Sequence, residues 1–314
     1  MQIEYATVFA QNPLNEMGES QIIANGNAAA VVIVDKNTEY DFSSDKQRQK
    51  LATLLLSKPQ KYFEQNNLAP SAVCFIDKPI ENSVHPSIEC FSAYAKIITC
   101  GHGLLAANAI LNQQRQKGGQ AGHYRYAKNR HWIKMTKSEV NESTVPDWAD
   151  KVFSIAPSYA AYTGNIDSAA DKTSDGYWIF EWQSQTSYSL AKQHYHLQQL
   201  SVNHAVLKQH TQRAAIATQW LESNKYNLQF LQRYFAPQYG VNEDGATGSA
   251  HRVLASYWAN KQLGAESFAR FSAYQCSTAG GVLHSELIDD AIWLGGKVDI
   301  GATVNLDINI DLFK

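Results

Sequence analysis

Short apolar segments alternate with polar or glycine-containing breaks along most of the chain. In the first part, segments rich in branched and aromatic side chains predict strands. They cover 3–10, 28–35, 71–77 and 88–97. Between these strands, leucines fall on one helical face and predict a helix over 45–56, which Ser43 or Ser44 can cap.

Further helices and many more strands are predicted in the later chain. An apolar helix that turns polar is predicted over 104–116, and a short helix over 145–153. Predicted strands cover 123–128, 131–140, 177–183 and 214–220, and three or four follow after residue 271. Because strands dominate and no βαβ alternation is visible, we predict an α+β fold.

The stretch KGGQAG, residues 117–122, is the strongest break in the pattern. A length of 314 residues fits one large domain or two ordinary ones. We therefore predict two domains, 1–119 and 120–314, and the last strands of the second can return to the first.

Composition narrows the class of protein. Apolar residues make up 44% and charged residues 18%, which allows a sizeable core. A net charge of -2 with no basic stripe argues against a nucleic-acid partner. No apolar run is long enough to span a membrane, and the first residues do not resemble a signal peptide. The cysteines form no CxxC pair, so we expect reduced thiols in a cytoplasmic protein; they are Cys74, Cys90, Cys100 and Cys276.

Two stretches, CGHGLLAANAIL (100–111) and GATGSAHRVLAS (245–256), are built alike. Each places a glycine-rich tetrapeptide directly before an apolar helix whose early residues are small. They lie about one domain apart. This pattern predicts a degenerate internal duplication with one such helix at the centre of each half.

Small residues at a helix start leave the first amides open to an anion, because those amides lack intrahelical partners and the helix dipole is positive there. Both stretches are therefore candidate cradles for a carboxylate or an oxyanion. The alternative is that the glycines only serve tight turns or close helix packing. The candidate binding groups are at Gly101, Gly103, Thr247, Gly248 and Ala250.

Each helix start also carries a group that can transfer or orient a proton. Asp244 lies just before one helix and Ser249 lies in its first turn, whereas Cys100 and His102 lie at the other. If the two starts face each other, a carboxylate and an imidazole can reach a small acid from opposite sides. That arrangement suits moving a proton on and off carbon while the amides hold the developing negative charge.

Four segments carry a resemblance to a known family. They are GNAAAVVIVD (26–35), TCGHGLLAANAIL (99–111), RYFAPQYGVNEDGATGSAH (233–251) and YQCSTAGG (274–281). In this order they resemble the phenazine-biosynthesis isomerase family, the PhzF-like proteins. The resemblance implies a diaminopimelate-epimerase-like fold, with two similar α+β domains that each wrap a barrel-like sheet around a central helix.

The resemblance also implies an activity. The family's characterised isomerase uses no cofactor, is typically a homodimer, and shifts a proton within a dihydro-hydroxyanthranilate in the cleft between the domains. Its polar site residues match Asn27, His102, Asp244 and Ser249 here. The resemblance therefore implies a cofactor-independent isomerase that acts on a small carboxylic acid.

One departure from the family concerns the reaction itself. The characterised isomerase has its proton-transferring glutamate in an NLSETAFV-type stretch, and the corresponding stretch here is NLAPSAVCF, residues 67–75. Pro70 therefore stands where that glutamate would be, and proline has no proton to give. Glu64 could reach the site only by a different backbone path.

Cys100 raises a second hypothesis. CGHG resembles the first half-site of the two-cysteine racemases, but their second cysteine would fall near Gly245 and is absent. A Cys100-dependent epimerase or dehydratase remains open, since a helix N-terminus can lower a thiol pKa. The alternative role for Cys100 is a buried small residue beside a turn. A third hypothesis is a ligand-binding protein that has lost catalysis, as Pro70 suggests.

The remaining signals are weaker. His194, His196 and His204 lie close in sequence and suggest zinc, but no cysteine or carboxylate completes a set nearby, so we expect a solvated segment and no metal. His251 follows a helix start and either lines the site or lies on the surface. The alternation around Trp178 predicts a half-buried strand that belongs to the core.

Overall fold

A computed structural model of the chain shows two compact units. The first contains 1–10, 26–133 and 296–314, and the second contains 11–25 and 134–295. The structure describes residues 2–10, 24–34, 42–57, 69–77, 86–114, 124–164, 176–183, 197, 199–222, 227–264, 268–301 and 303–305. The break at 117–122 lies outside these residues, so the boundary between 119 and 120 stays a prediction.

The first unit is built on a seven-stranded mixed sheet. Its strands are β1 (Gln2–Val8), β2 (Asn27–Val34), β3 (Ala72–Asp77), β4 (Ser87–Phe91), β5 (Lys96–Ile97), β16 (Val298–Ile300) and β17 (Val304–Asn305). Their order is β16-β1-β2-β3-β4-β5, and β17 also pairs with β1.

The second sheet has ten strands, and the boundary between the units falls within its strand β7. Its strands are β6 (Tyr124–Ala127), β7 (Arg130–Thr136), β8 (Val140–Ser143), β9 (Tyr159–Thr163), β10 (Tyr177–Glu181), β11 (Ala214–Trp220), β12 (Phe230–Phe235), β13 (Phe268–Gln275), β14 (Gly281–Ile288) and β15 (Ala291–Gly296). Their order is β6-β7-β15-β14-β13-β12-β11-β10-β9-β8.

Two of the helices, Gly101–Gln114 and Gly248–Leu263, each contact several strands of one sheet. The α-helices of the described chain are α1 (Asp45–Ser57), α2 (Gly101–Gln114), α3 (Ala149–Val152), α4 (His204–His210) and α5 (Gly248–Leu263), and a 3-10 turn covers Pro237–Tyr239. Helix α2 contacts β1, β2, β3, β4 and β16, and α5 contacts β8, β13 and β14. Because each helix contacts strands far apart in the order of its sheet, each sheet curves around its helix. This is the α+β, epimerase-like arrangement predicted above.

The two units repeat one chain topology. In the first, β1 and β2 are antiparallel, β2 and β3 are parallel with α1 between them, and β3 and β4 are antiparallel before α2. Strands β9 to β12, with α4 and then α5, have the same order and the same directions. The expectation that no βαβ alternation occurs was wrong, because each parallel pair encloses a helix. Helix α4 has only seven residues, which is too short to show a clear helical period.

Arg48 joins α1 to the first sheet. Its guanidinium donates to Asp77 and Glu89 at 2.6 Å each, and its Nε donates to the Phe42 carbonyl at 2.8 Å. The side chain also lies over the ring of Phe75. A buried cation is tolerated here because two carboxylates and a carbonyl replace its hydration.

Several element boundaries differ from the sequence-based expectations. The strand predicted over 88–97 is a hairpin, because Ser92 Oγ accepts from the amides of Tyr94 and Ala95 and closes a turn. Helix α2 begins at Gly101 instead of residue 104, so His102 lies inside the first turn. The core assignment for Trp178 is confirmed by its burial in a cluster with Phe180.

Within the described residues, no helix is both long and apolar enough to cross a bilayer.

We expect Arg48→Ala to lower the free energy of unfolding by about 1.5–3 kcal/mol, because Asp77 and Glu89 lose a charged hydrogen-bond donor. Urea titration followed by circular dichroism measures the change. Lys50→Ala, on the exposed face of the same helix, should change stability by less than about 0.5 kcal/mol. Equal effects of the two substitutions would contradict the role assigned to Arg48.

Candidate active site

A chain of hydrogen bonds surrounds the start of α2. The Ser71 hydroxyl donates to Asn27 Oδ1 at 2.6 Å, and Ser71 Oγ lies 3.1 Å from His102 Nε2. Because the hydroxyl proton points to Asn27, His102 Nε2 donates to Ser71. His102 Nδ1 then faces the Cys100 sulfur at 3.7 Å. The sheet and the helix start therefore hold the imidazole by both ring nitrogens.

Three thiols converge on Gly103 in the same helix turn. A Cβ atom at Gly103 would lie 2.5 Å from the sulfur of Cys74, 2.8 Å from that of Cys100 and 2.9 Å from that of Cys90. Close packing thus accounts for the absence of a side chain at Gly103, which was the alternative to an open anion cradle. Whether its amide binds an anion stays a prediction.

The thiols differ in acidity. Hydrogen bonds from the Cys74 and Cys90 thiols, together with the nearby His102, hold the pKa of Cys100 well below its usual value. The pKa values of Cys74 and Cys90 are raised well above it, first by their hydrogen bonds with Cys100 and also by burial. The hydrogen bond with Cys74 raises the pKa of Cys90 further. Cys100 is therefore the thiolate-forming member of the group.

Pro70 is buried directly before Ser71 and β3. Ser71 donates its amide to the Ala28 carbonyl at 2.9 Å, which fixes the entry of the chain into the strand. Position 70 is thus one residue from the hydroxyl that contacts His102, so the proline adjoins the hydrogen-bond chain. Glu64 lies outside the described residues.

The start of α5 is organised by Asp244 and Thr247. Asp244 Oδ1 accepts from the Gly245 amide at 3.0 Å, and its Oδ2 accepts from the Thr247 hydroxyl at 2.6 Å. These bonds fix the orientation of the carboxylate. Within the described residues, the Thr247 side chain makes no capping bond to α5, since its hydroxyl points to Asp244. Ser249 and Ala250 lie buried in the first turn.

Gln275, at the end of β13, holds this loop in place. Its Oε1 accepts from the Thr247 amide at 2.7 Å and from Gln232 Nε2 at 2.8 Å. Its Nε2 donates to the Asp244 carbonyl at 2.7 Å and to the Thr247 hydroxyl oxygen at 3.2 Å. The amide of Thr247 is therefore used inside the protein, and the first-turn amides that follow it are the better candidates for binding an anion.

His251 belongs to the supporting network. It is fully buried, and burial lowers its pKa to about 3, so it is neutral at neutral pH. Its Nδ1 lies 3.2 Å from Gln232 Oε1 and its Nε2 lies 3.0 Å from Ser285 Oγ. Because Nδ1 faces the acceptor oxygen of Gln232, the ring proton lies on Nδ1. Nε2 then accepts from the Ser285 hydroxyl. The surface position left open for His251 is excluded.

Glu243 has a structural contact of its own. Arg233 donates to both of its carboxylate oxygens, at 2.7 and 2.8 Å, and also donates to the carbonyls of Leu197 and Leu200. This fork-shaped pair ties the loop before α5 to β12. Of the two adjacent acids, Asp244 is therefore the candidate for chemistry.

The structure brings Asn27, Cys100 and His102 together in the first unit, and Asp244, Thr247 and Ser249 in the second. Sequence reasoning missed Ser71, Gln275 and the partners of Cys100. A signal existed for Cys74 and Cys90, since each lies in a predicted strand. His194 and His196 lie outside the described residues, and His204 is the first residue of α4.

A family model described as a phenazine biosynthesis-like protein (PhzC-PhzF) matches residues 20–292. The chain belongs to the phenazine biosynthesis-like family. The matched range contains both helix starts and the whole of the four segments that carried the resemblance. The roles of individual residues stay predictions.

Two curated relatives match shorter stretches. A bovine phenazine biosynthesis-like domain-containing protein is 50% identical over 80 residues, which is 25% of this chain and 25% of that protein. A Halalkalibacterium halodurans protein named an uncharacterized isomerase is 41% identical over 101 residues, or 32% of this chain and 36% of that one. The matched stretches therefore span well under two thirds of either relative.

The fold extends this likeness to the whole chain. A crystal structure of the Bacillus anthracis phenazine biosynthesis protein of the PhzF family superposes with a TM-score of 0.68. The superposition covers 98% of this chain and 99% of that one at 13% identity. At this identity the likeness shows the fold alone.

We expect Gln275→Leu to loosen the loop before α5. The change keeps the volume but removes the acceptor of the Thr247 amide and the nearer of two acceptors of Gln232 Nε2, at a cost of about 1–3 kcal/mol. Hydrogen exchange should show faster exchange at the Thr247 amide.

Gln229→Leu is the matched control, because Gln229 Oε1 accepts from the Ser272 amide at 2.6 Å. That variant should speed exchange at Ser272 and leave Thr247 unchanged. Unchanged protection of Thr247 in Gln275→Leu would show that Gln275 does not hold the loop.

Proposed function

We propose that this protein is an isomerase that moves a proton on a small carboxylic acid without a cofactor. The observation that carries the proposal is the chain Asn27–Ser71–His102–Cys100 at the start of α2. It holds an imidazole in one orientation beside a group that can exchange a proton. Membership of a family with isomerase-named relatives supports the same reaction class.

Asp244 is the proposed second proton-transfer group. Its contacts with the Gly245 amide and the Thr247 hydroxyl stabilise the charged carboxylate and fix where it points. A carboxylate that is ionised and held in place can act as a general base. In this proposal Asp244 and His102 act from opposite sides of the substrate.

The substrate carboxylate would be held by amides at the two helix starts. The proposed donors are the amides of Gly101 and Gly103 in α2 and those of Gly248 and Ala250 in α5, and Ser249 would orient the substrate. Amides in a first helical turn lack intrahelical acceptors, and the dipole favours an anion there. This part of the proposal assumes that both helix starts contact one ligand. We also propose that the protein is a homodimer, as the family resemblance implies.

A second candidate function is an epimerase or dehydratase that uses Cys100 as its base. The specific observation in its favour is the lowered pKa of Cys100, caused by the thiols of Cys74 and Cys90 and by His102. A thiolate at neutral pH can take a proton from a carbon beside a carboxylate.

The substrate is proposed to differ from the family's dihydro-hydroxyanthranilate. Pro70 occupies the position inferred for the family glutamate, and it adjoins Ser71 in the candidate site. A residue without a titratable atom cannot carry the proton between two carbons. If His102 or Asp244 returns the proton instead, the geometry of the transfer differs. We therefore propose a substrate acid other than the dihydro-hydroxyanthranilate.

We expect Asp244→Asn to slow proton exchange by about 10²–10⁴-fold, because the change is nearly isosteric but removes the base. The assay follows deuterium uptake at carbon by NMR across a panel of small carboxylic acids. Asp150→Asn, the same change at an exposed position, should leave the exchange rate unaltered.

An effect of Asp244→Asn below about threefold, against the 10²–10⁴-fold usual for such groups, would assign Asp244 to loop structure. If Cys100→Ser abolishes the exchange and Asp244→Asn does not, the second candidate function is the correct one. Binding of an acid without any exchange would instead favour a protein that has kept the ligand site and lost catalysis.

We expect no useful turnover of the dihydro-hydroxyanthranilate by the wild-type protein. Loss of the proton shuttle should raise the barrier by several kcal/mol, and each 1.36 kcal/mol is about tenfold in rate. Substrate consumption and deuterium incorporation should be measured for the wild type and for Pro70→Glu. Brisk wild-type turnover would mean that another residue, with Glu64 the first suspect, carries the proton.

A further inference from the structure

Three cysteines from separate elements meet below the start of α2. Cys74 lies in β3, Cys90 in β4, and Cys100 directly before α2. All three are buried, and Cys100 and Cys90 keep exposed fractions of 5% and 3% whereas Cys74 has none. Of the three thiols, only Cys100 is proposed to exchange a proton, and the other two act there only through its pKa.

Cys74 and Cys90 are direct partners in the antiparallel pair of β3 and β4. Directly opposite residues of such a pair have Cα atoms about 4.5–5.5 Å apart, which lies inside the range that disulfides span. Their sulfur atoms lie 2.9 Å apart. Bond formation therefore requires no movement of either strand.

We propose that Cys74, Cys90 and Cys100 form a redox site in which hydrogen peroxide converts Cys74 and Cys90 to a disulfide by way of Cys100. The thiol chemistry is independent of the proposed isomerase activity. Only its consequence for catalysis depends on that activity.

The steps balance with hydrogen peroxide as the oxidant. The Cys100 thiolate attacks one peroxide oxygen, the O–O bond breaks, and Cys100 sulfenic acid and hydroxide form. The Cys90 thiol then attacks the sulfenic sulfur and releases water. The Cys74 thiol gives its proton to the hydroxide from the first step, and its sulfur displaces Cys100 from this mixed disulfide. The Cys74–Cys90 disulfide remains, and Cys100 returns as a thiolate.

Cys100 is the entry point for two reasons. It has the largest exposed fraction of the three, and its neighbours favour the thiolate, which is the form that peroxide oxidises. Cys276 provides the contrast within the same chain. It is buried in the core cluster of the second unit, and burial raises its pKa, so it should stay a thiol.

A metal-binding site is the alternative role for three cysteines and a histidine. Thiolate ligands of zinc lie about 2.3 Å from the metal, which keeps neighbouring sulfurs well over 3 Å apart. The sulfurs of Cys74 and Cys90 are closer than that. Within the described residues, no group of three or more ligating side chains is arranged to hold a metal ion. The geometry thus favours the disulfide.

Oxidation would change the candidate site. The Cys74 and Cys90 thiols donate to Cys100 and lower its pKa, and a disulfide has no such protons. The pKa of Cys100 should therefore rise on oxidation, with His102 as the remaining favourable neighbour. If the proposed function holds, the disulfide state is the less active one.

The test uses the full chain with hydrogen peroxide as the probe. Treatment of the wild type should remove two of the four thiols, and peptide mapping should find Cys74 joined to Cys90. A thiol reductant should restore all four. Cys100→Ser should slow disulfide formation by about tenfold or more, because the reactive thiolate is gone. Cys276→Ser should oxidise at the wild-type rate.

Other outcomes would overturn the proposal. They are retention of all four thiols, a disulfide that includes Cys276, or unslowed oxidation of Cys100→Ser. Stoichiometric zinc binding that protects the three thiols would show a metal site instead. Because Cys74 or Cys90 variants could lose stability, the mapping of the wild type and the comparison of Cys100→Ser with Cys276→Ser decide the matter.

Discussion

Burial of polar groups at two helix starts is the constraint on which the candidate site depends. A sheet curves around each of α2 and α5, so polar side chains at their first turns lie within protein and need hydrogen-bond partners. At α2 the partners come from β2 and from the residue before β3. At α5 they come from β13 through Gln275. The same contacts that satisfy burial also fix the orientation of His102 and Asp244.

The pattern of apolar and polar residues predicted those features that depend on residues close together in the chain. The two helices with small first residues, most strands and the α+β class follow from periodicity, and the family resemblance supplied the epimerase-like fold. The hairpin within 88–97 was missed because its turn residues, Ser92 to Ala95, interrupt the apolar pattern only weakly. Ser71 and Gln275 were missed because only pairing between distant strands brings them to the helix starts.

Pro70 is compatible with the fold but has no group that can transfer a proton. The fold of this chain accommodates proline there, because the residue precedes β3 and need not donate to the sheet. Beside it, His102 is held between Ser71 and Cys100. Under the proposed function, proton transfer falls to His102 and Asp244, and Pro70 has no part in it.

The proposed function depends first on carboxylate binding at the start of α2, beside His102. NMR titration of the amide-labelled protein with small aromatic and aliphatic carboxylates tests this binding most directly. The proposal predicts that the amides of 101–103 shift with one saturable dissociation constant. Unshifted amides at 101–103 with every acid of the panel would contradict it.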